Sequence, residues 1–117
     1  MARSALIVDP DPASGKLAQV VLRQAGWTAT IATTAAAALA ALAASRPDVV
    51  ITSLELDDGA VLLAIARRAS IAVAIVTSHD DAEVERRALA AGYALYLRKP
   101  IDVGTFALAI TRALDHA

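Results

Sequence analysis

Short runs of branched apolar residues alternate with longer stretches in which apolar positions recur every three or four residues. Ala5-Leu6-Ile7-Val8 is a continuous run of the kind a strand buried on both faces requires, and Asp9-Pro10-Asp11-Pro12 stops it. Asp11 as N-cap, with Pro12 at the first helical position, opens a helix through Leu17, Val20, Val21 and Leu22 to Gly26. Trp27 to Ile31 alternates and predicts a weaker, edge strand. Thr33 or Thr34 caps an alanine-rich helix whose Leu39 and Leu42 give a narrow stripe, and Arg46-Pro47 ends it. Val49 to Thr52 is the third strand. Asp57-Asp58-Gly59 leads into a helix with Val61, Leu62 and Ile65 on one side. Ile71 to Val76 is the fourth strand, and Asp80-Asp81-Ala82-Glu83 has the spacing of a capping box that starts a helix to Gly92. Ala94 to Leu97 is the fifth strand, and Asp102 caps a last helix carrying Phe106, Ile110 and Leu114.

Strict strand–helix alternation with continuous apolar strands predicts an α/β domain over 1–117, a doubly wound five-stranded parallel sheet covered on both faces. In such sheets the working crevice lies beyond the carboxyl ends of the strands. Asp9, Ser53, Thr77 and Lys99 all fall there.

Composition sharpens this. Hydrophobic residues are 57% of the chain and aromatics 3%. Alanine, about a quarter of the residues, predicts small-faced helices lying close against a Val/Ile/Leu sheet. The net charge of −1 excludes a general basic field for nucleic acid or an anionic membrane. The absence of cysteine removes disulfides, thiol catalysis and zinc–thiolate sites, and fits a reducing cytoplasm. No segment reads as a signal peptide or a membrane span.

The candidate chemistry sits at the strand ends. Asp9, Ser53 and Lys99 are spaced by about 45 residues each, one per strand end, the skeleton of a phosphate-handling pocket that holds an alcohol at its centre. A buried lysine without a partner is costly, so a direct Asp9–Lys99 ion pair is expected. Ser53 then reads as a small polar plug, with modification by a serine kinase as the alternative. Thr77 and Ser78 cap the loop before the next helix, and Asp57 and Asp58 form a turn. His79 is a solvated loop residue, His116 lies at the carboxyl end, and Arg67-Arg68 and Arg86-Arg87 are solvated helix faces.

These pieces resemble the receiver domain of bacterial response regulators over essentially the whole chain. They are Leu6-Ile7-Val8-Asp9, Pro47-Asp48-Val49-Val50-Ile51, Asp58-Gly59, Ile75-Val76-Thr77-Ser78, Ala90-Ala91-Gly92 and Tyr96-Leu97-Arg98-Lys99-Pro100. The resemblance implies a flavodoxin-like (βα)5 fold with strand order 2-1-3-4-5, and a Lys99-Pro100 bond that is cis. It also implies a phosphoacceptor aspartate after the third strand, two acids after the first strand that help hold magnesium, a hydroxyl, a lysine and a switching aromatic. It puts Asp9 at the first acid, Thr77 at the hydroxyl, Lys99 at the lysine and Tyr96 at the aromatic. It puts Pro10 where the second acid usually stands and Ser53 where the phosphoacceptor should be. The loop Leu54-Glu55-Leu56-Asp57-Asp58-Gly59 is shorter than usual by about two residues.

Magnesium draws most of its affinity from carboxylates. Asp9, with a reoriented Asp11 or Glu55, makes a poor site, so metal binding is expected to be weak or absent. Serine is a weak nucleophile without a base, and neither histidine falls near the pocket. The expected function is therefore a pseudo-receiver, a non-catalytic cytoplasmic signalling module that meets a protein partner or a second copy of itself. The partner is a histidine kinase, an output domain or another signalling protein. The resemblance implies a contact face on the fourth helix, fifth strand and fifth helix, including Arg86, Arg87, Tyr96, Arg98, Asp102 and Phe106, although Tyr96 reads equally as a half-buried edge aromatic and Phe106 equally as core. The alternative is a genuine phosphorelay receiver modified at Ser53 or Asp57, or one that uses Asp11 with Asp57. A third reading, a nucleotide or flavin binder, is disfavoured because the loop after the first strand is acidic and its two prolines lack N–H donors.

Overall fold

The computed structural model of the chain describes residues 3–115; Met1, Ala2, His116 and Ala117 lie outside them. Five strands and five helices alternate: β1 (Ser4–Val8), α1 (Pro12–Gln24), β2 (Thr28–Ala32), α2 (Ala35–Ala44), β3 (Val49–Thr52), α3 (Gly59–Arg68), β4 (Ala72–Thr77), α4 (Ala82–Ala91), β5 (Leu95–Arg98) and α5 (Phe106–Asp115). All strand pairs are parallel, in the order β2-β1-β3-β4-β5. β2 is an edge strand, as its alternating pattern predicts.

Two-residue periodicity splits the sheet's side chains between its faces. Ala5, Ile7, Val49, Ile51, Ala74 and Val76 face a core completed by Leu22 of α1 and by Phe106 and Ile110 of α5. Leu6, Val8, Val50 and Val73 face the opposite core, completed by Ala38 of α2 and by Leu62, Leu63 and Ala66 of α3. Ile75, Ala88 and Tyr96 make a third cluster beneath α4.

Several boundaries differ from the sequence reading. The first helix stops at Gln24, and Gly26, at φ 93°, takes the chain into β2. Thr34, not Thr33, caps α2 by accepting the Ala37 N–H at 3.1 Å, and the helix ends at Ala44, ahead of Arg46-Pro47. On α3 the inward side is Leu62, Leu63 and Ala66, while Val61 and Ile65 are exposed, because the helix starts at Gly59 and sets that phase. The capping box does not form: Asp81 itself is the N-cap and accepts the Glu83 N–H at 2.7 Å, and the Glu83 carboxylate instead takes Arg86 and Arg87. Asp102 heads a turn ahead of α5: its side chain accepts the Gly104 N–H at 2.8 Å and its carbonyl the Phe106 N–H at 2.9 Å. Phe106, expected on the contact face, is 2% exposed and lies in the core between α5 and the sheet. With three other aromatics and small helix faces, the core needs its volume.

Candidate functional site

The parallel register aligns the strands' carboxyl ends. Val8 pairs with Thr52, Thr52 with Ile75, and Thr77 with Arg98. The residues at or just past those ends, Asp9, Ser53, Thr77 and Lys99, therefore come together. Main-chain bonds extend the alignment one step: the Asp9 N–H reaches the Ala32 carbonyl at 3.1 Å, and the Lys99 N–H reaches the Thr77 carbonyl at 2.7 Å. The Lys99–Pro100 peptide is cis. Asp9, Ser53 and Thr77 are buried.

The ion pair expected between Asp9 and Lys99 is present, with Lys99 Nζ 2.9 Å from Asp9 Oδ2 and both side chains largely covered. The other Asp9 oxygen accepts the Asp11 N–H at 2.9 Å. Both oxygens of the one buried carboxylate in this row are thus spent inside the fold. Asp11 does not turn toward them. It caps α1, taking the Ser14 hydroxyl at 2.7 Å and the Ala13 N–H at 3.2 Å, and the Ser14 bond above all holds its carboxyl below the usual aspartate range.

A second network joins β3 to β4. Ser53 Oγ donates to Glu55 Oε2 in a close hydrogen bond. Thr77 Oγ1 lies 3.1 and 3.3 Å from the two Glu55 oxygens, and the Ser78 N–H lies 3.4 Å from Oε1. Burial works to raise the Glu55 carboxyl, but the bonds from Ser53, the Glu55 amide itself, Ser78 and Thr77 outweigh it and hold the group below its ordinary value. The sequence puts Glu55 in the strand-end pocket with Asp9, Ser53, Thr77 and Lys99, but does not show its bonds to Ser53 and Thr77. The signal for its actual place was an acid two residues past a strand-end serine, on a side chain long enough to cross to the next strand.

Pro10 is exposed and lies away from the ion pair. It shares a shallow cleft of about 200 Å³ with Asp57, Asp58, Glu55 and the start of α2. Asp57 lines that cleft, and Lys99 and Asp11 do not. A larger cavity of about 420 Å³ lies on the α1 side, with Ile7, Ile51 and Val76 as floor and Asp9, Asp11, Ser78 and Lys99 at its rim. Among the described residues, no group of three or more Asp, Glu or His side chains is arranged to hold a metal ion.

Of the contact face expected on α4, β5 and α5, Arg86, Arg87, Arg98 and Asp102 are exposed, and Phe106 and Tyr96 are not. The Tyr96 ring packs beneath α4 and its hydroxyl donates to the His79 carbonyl at 2.8 Å. Arg98 reaches Glu85 of α4 at 3.3 Å, and Arg86 and Arg87 share Glu83. Solvent screens exposed pairs of this kind, so they decorate the surface more than they stabilise it. No described helix is long and apolar enough to cross a membrane.

Residues 5–111 match the family described as response regulator receiver domain. The chain is 32% identical over 114 residues to the DNA-binding transcriptional regulator NtrC of Escherichia coli, covering 94% of this chain and 24% of that protein. It thus spans about a quarter of the length of that relative. A response regulator receiver protein from Burkholderia phymatum superposes with a TM-score of 0.81 at 33% identity, covering 97% of this chain and 95% of the other. A CheY-like receiver domain protein from Methanospirillum hungatei gives 0.85 at 28% identity, covering 99% and 96%.

Proposed function

The chain belongs to the response regulator receiver domain family, and on that premise we propose that it is a pseudo-receiver: a cytoplasmic regulatory module that works by protein contact and carries out no phosphoryl transfer. The observation that carries this reading is the direct Asp9–Lys99 ion pair beside a neutral Ser53. A receiver that stores phosphate needs a carboxylate nucleophile within reach of that lysine. Here the position offers an alcohol, and the lysine is committed to Asp9.

The donor set does not fit magnesium either. Asp9 already accepts an ammonium and a main-chain N–H, Asp11 is turned to its own helix, and Glu55 is engaged by two hydroxyls. A divalent cation would have to displace a buried lysine to gain one carboxylate, against a strong preference for several hard oxygens.

The partner is a protein: a histidine kinase, another signalling protein, an output domain such as the remainder of a longer regulator, or a second copy. It docks on the face of α4, β5 and α5 through Arg86, Arg87, Arg98 and Asp102. Tyr96 and Phe106 support that face from beneath. Any switching comes from a partner that binds two conformations with different affinity.

The test is incubation with acetyl phosphate and magnesium followed by intact-mass measurement, with beryllofluoride as a second ligand. No gain of a phosphoryl group and no beryllofluoride-dependent change are expected. One observation favours a phosphorylated receiver instead: Glu55 accepts the Ser53 proton and so stands where a general base would. A phosphoryl group that is lost on Ser53→Ala establishes that alternative, and one lost on Asp57→Asn establishes the other acceptor.

A further inference from the structure

We infer that the Glu55 carboxylate is a built-in occupant of the strand-end pocket, an intramolecular clamp that ties the loop after β3 to the loop after β4 and holds Tyr96 inward. Ser53 is 3% exposed and Thr77 is fully buried. Neither hydroxyl has bulk water to bond, and a buried donor left unpaired is costly. Glu55 is itself exposed along its stem, yet its carboxylate turns back to satisfy both hydroxyls at once. Nothing in the sequence of an exposed loop acid requires that turn. The two hydroxyls do.

The bonds form an unbroken chain. The Glu55 N–H donates to Ser53 Oγ at 3.2 Å, and Ser53 donates back to the carboxylate. The carboxylate takes Thr77 Oγ1 and the Ser78 N–H. Thr77 Oγ1 accepts the His79 N–H at 3.3 Å, and the His79 carbonyl accepts the Tyr96 hydroxyl at 2.8 Å. One side chain thus connects the end of β3 to an aromatic on β5 through the intervening loop. Asp9 and Lys99 neutralise each other, and Glu55 is the acid that meets Ser53 and Thr77. Its bonds to neutral donors are charge-assisted.

Ser53 is the residue that permits the arrangement. An alcohol donates to Glu55, whereas a carboxylate at that position would repel it at hydrogen-bond range. The consequence is a pocket closed by its own chain. The Ser53 and Thr77 hydroxyls are satisfied from within the chain, and the loop carrying Ser78 and His79 is tied to the same network. A partner that reads the Tyr96 region meets a surface already fixed.

This inference rests on the same pocket as the proposed function but is read from amide protection, not from phosphoryl transfer, so either can fail alone. Hydrogen exchange of the whole chain is measured residue by residue by NMR for the wild type, Glu55→Gln, Glu55→Ala, Thr77→Val and the Glu55→Ala/Thr77→Val pair. Glu55→Ala should speed exchange at Ser78 and His79 by at least about tenfold, the factor that 1.4 kcal/mol represents, and shift the Tyr96 ring signals. Val50 and Val73 should keep their protection. Glu55→Gln should give a smaller change of the same kind, and the pair should be no looser than either single variant, because both remove one link. Unchanged exchange at Ser78 in Glu55→Ala, or additive effects in the pair, overturns the clamp. If the alanine variant loses protection at Val50 as well, Glu55→Gln decides alone.

Discussion

Asp9→Asn and Lys99→Met, alone and together, give the most direct energetic probe of the pocket. At 2.9 Å and an effective dielectric constant of about 20, two unit charges attract by about 6 kcal/mol. Desolvation of both groups offsets several kcal/mol of that. The covered side chains, 15% and 8% exposed for Lys99 and Asp9, put the cost of removing one partner near the low end of the range for buried pairs, about 3 kcal/mol. Asparagine can still accept the Asp11 N–H that Asp9 holds, so Asp9→Asn isolates the lost charge from the lost turn. The double variant leaves no unpaired charge and should be no worse than either single one, which corresponds to a coupling of about 3 kcal/mol. Urea unfolding followed by circular dichroism is the assay. With a slope of about 1.5 kcal/mol/M, each single change lowers the midpoint by about 2 M. The coupling should also survive added salt, since a buried pair is poorly screened. Single-variant costs below about 1 kcal/mol with no coupling refute the reasoning, because such values belong to solvated pairs.

The other expectations are simpler. Phe106→Ala should destabilise the fold by about 3–5 kcal/mol in the same unfolding assay, since the ring is a buried core residue and its loss leaves a cavity. Gly92→Ala should cost about 1–2 kcal/mol, read as a lower melting temperature: Gly92 ends α4 at φ 114°, and a Cβ there would meet the Arg67 guanidinium that reaches the Ala91 carbonyl. Glu55 has a folded value below its ordinary one. Its contribution is therefore complete above the ordinary glutamate range and is lost as pH falls through the lowered value. Protection of the Ser78 amide, followed down an acid series relative to the unstructured chain, should fall only once the pH is below the ordinary glutamate range, and a fall that begins near neutrality contradicts the assignment.

The fold was legible because each local signal agreed with the global one. Continuous apolar runs marked four strands and alternation the fifth, and Asp11-Pro12, the Thr33-Thr34 pair and Gly92 marked helix ends by mechanisms that need no tertiary partner. Misreadings arose where two local solutions compete. Asp80 and Asp81 both suit an N-cap, and it is Asp81 that accepts the Glu83 N–H. Val61 and Leu62 are equally apolar, and the phase set at Gly59 decides which one is buried. Phe106 and Tyr96 each suit both the family's contact face and the interior, and a chain with so few aromatics draws both into its core. The Asp9–Lys99 pair was legible from charge balance alone. The Glu55 network was not, since it depends on a side chain crossing between loops whose separation only the sheet register sets.

Both features of the pocket follow from the residue at 53. Lys99 follows the end of β5, its main-chain N–H on the Thr77 carbonyl and its ammonium among the strand ends. Facing a neutral Ser53, its charge is met by Asp9. Thr77 is fixed by the β4–β5 register, fully buried, and its hydroxyl also needs an acceptor. Ser53 can donate but offers no charge, so the nearest flexible acid, Glu55, supplies one acceptor for both alcohols. Replacing Ser53 by aspartate should therefore disturb two bonds at once. It sets a carboxylate against Glu55 and gives Lys99 a second anion, so Glu55 should be expelled toward solvent and Tyr96 released from His79. The Ser53→Asp variant should show faster Ser78 exchange at neutral pH, and that excess should shrink as acid protonates one of the two carboxylates. A Ser53→Asp pocket that keeps Ser78 as protected as the wild type at neutral pH would mean that Glu55 is held by its own loop and not by the alcohols.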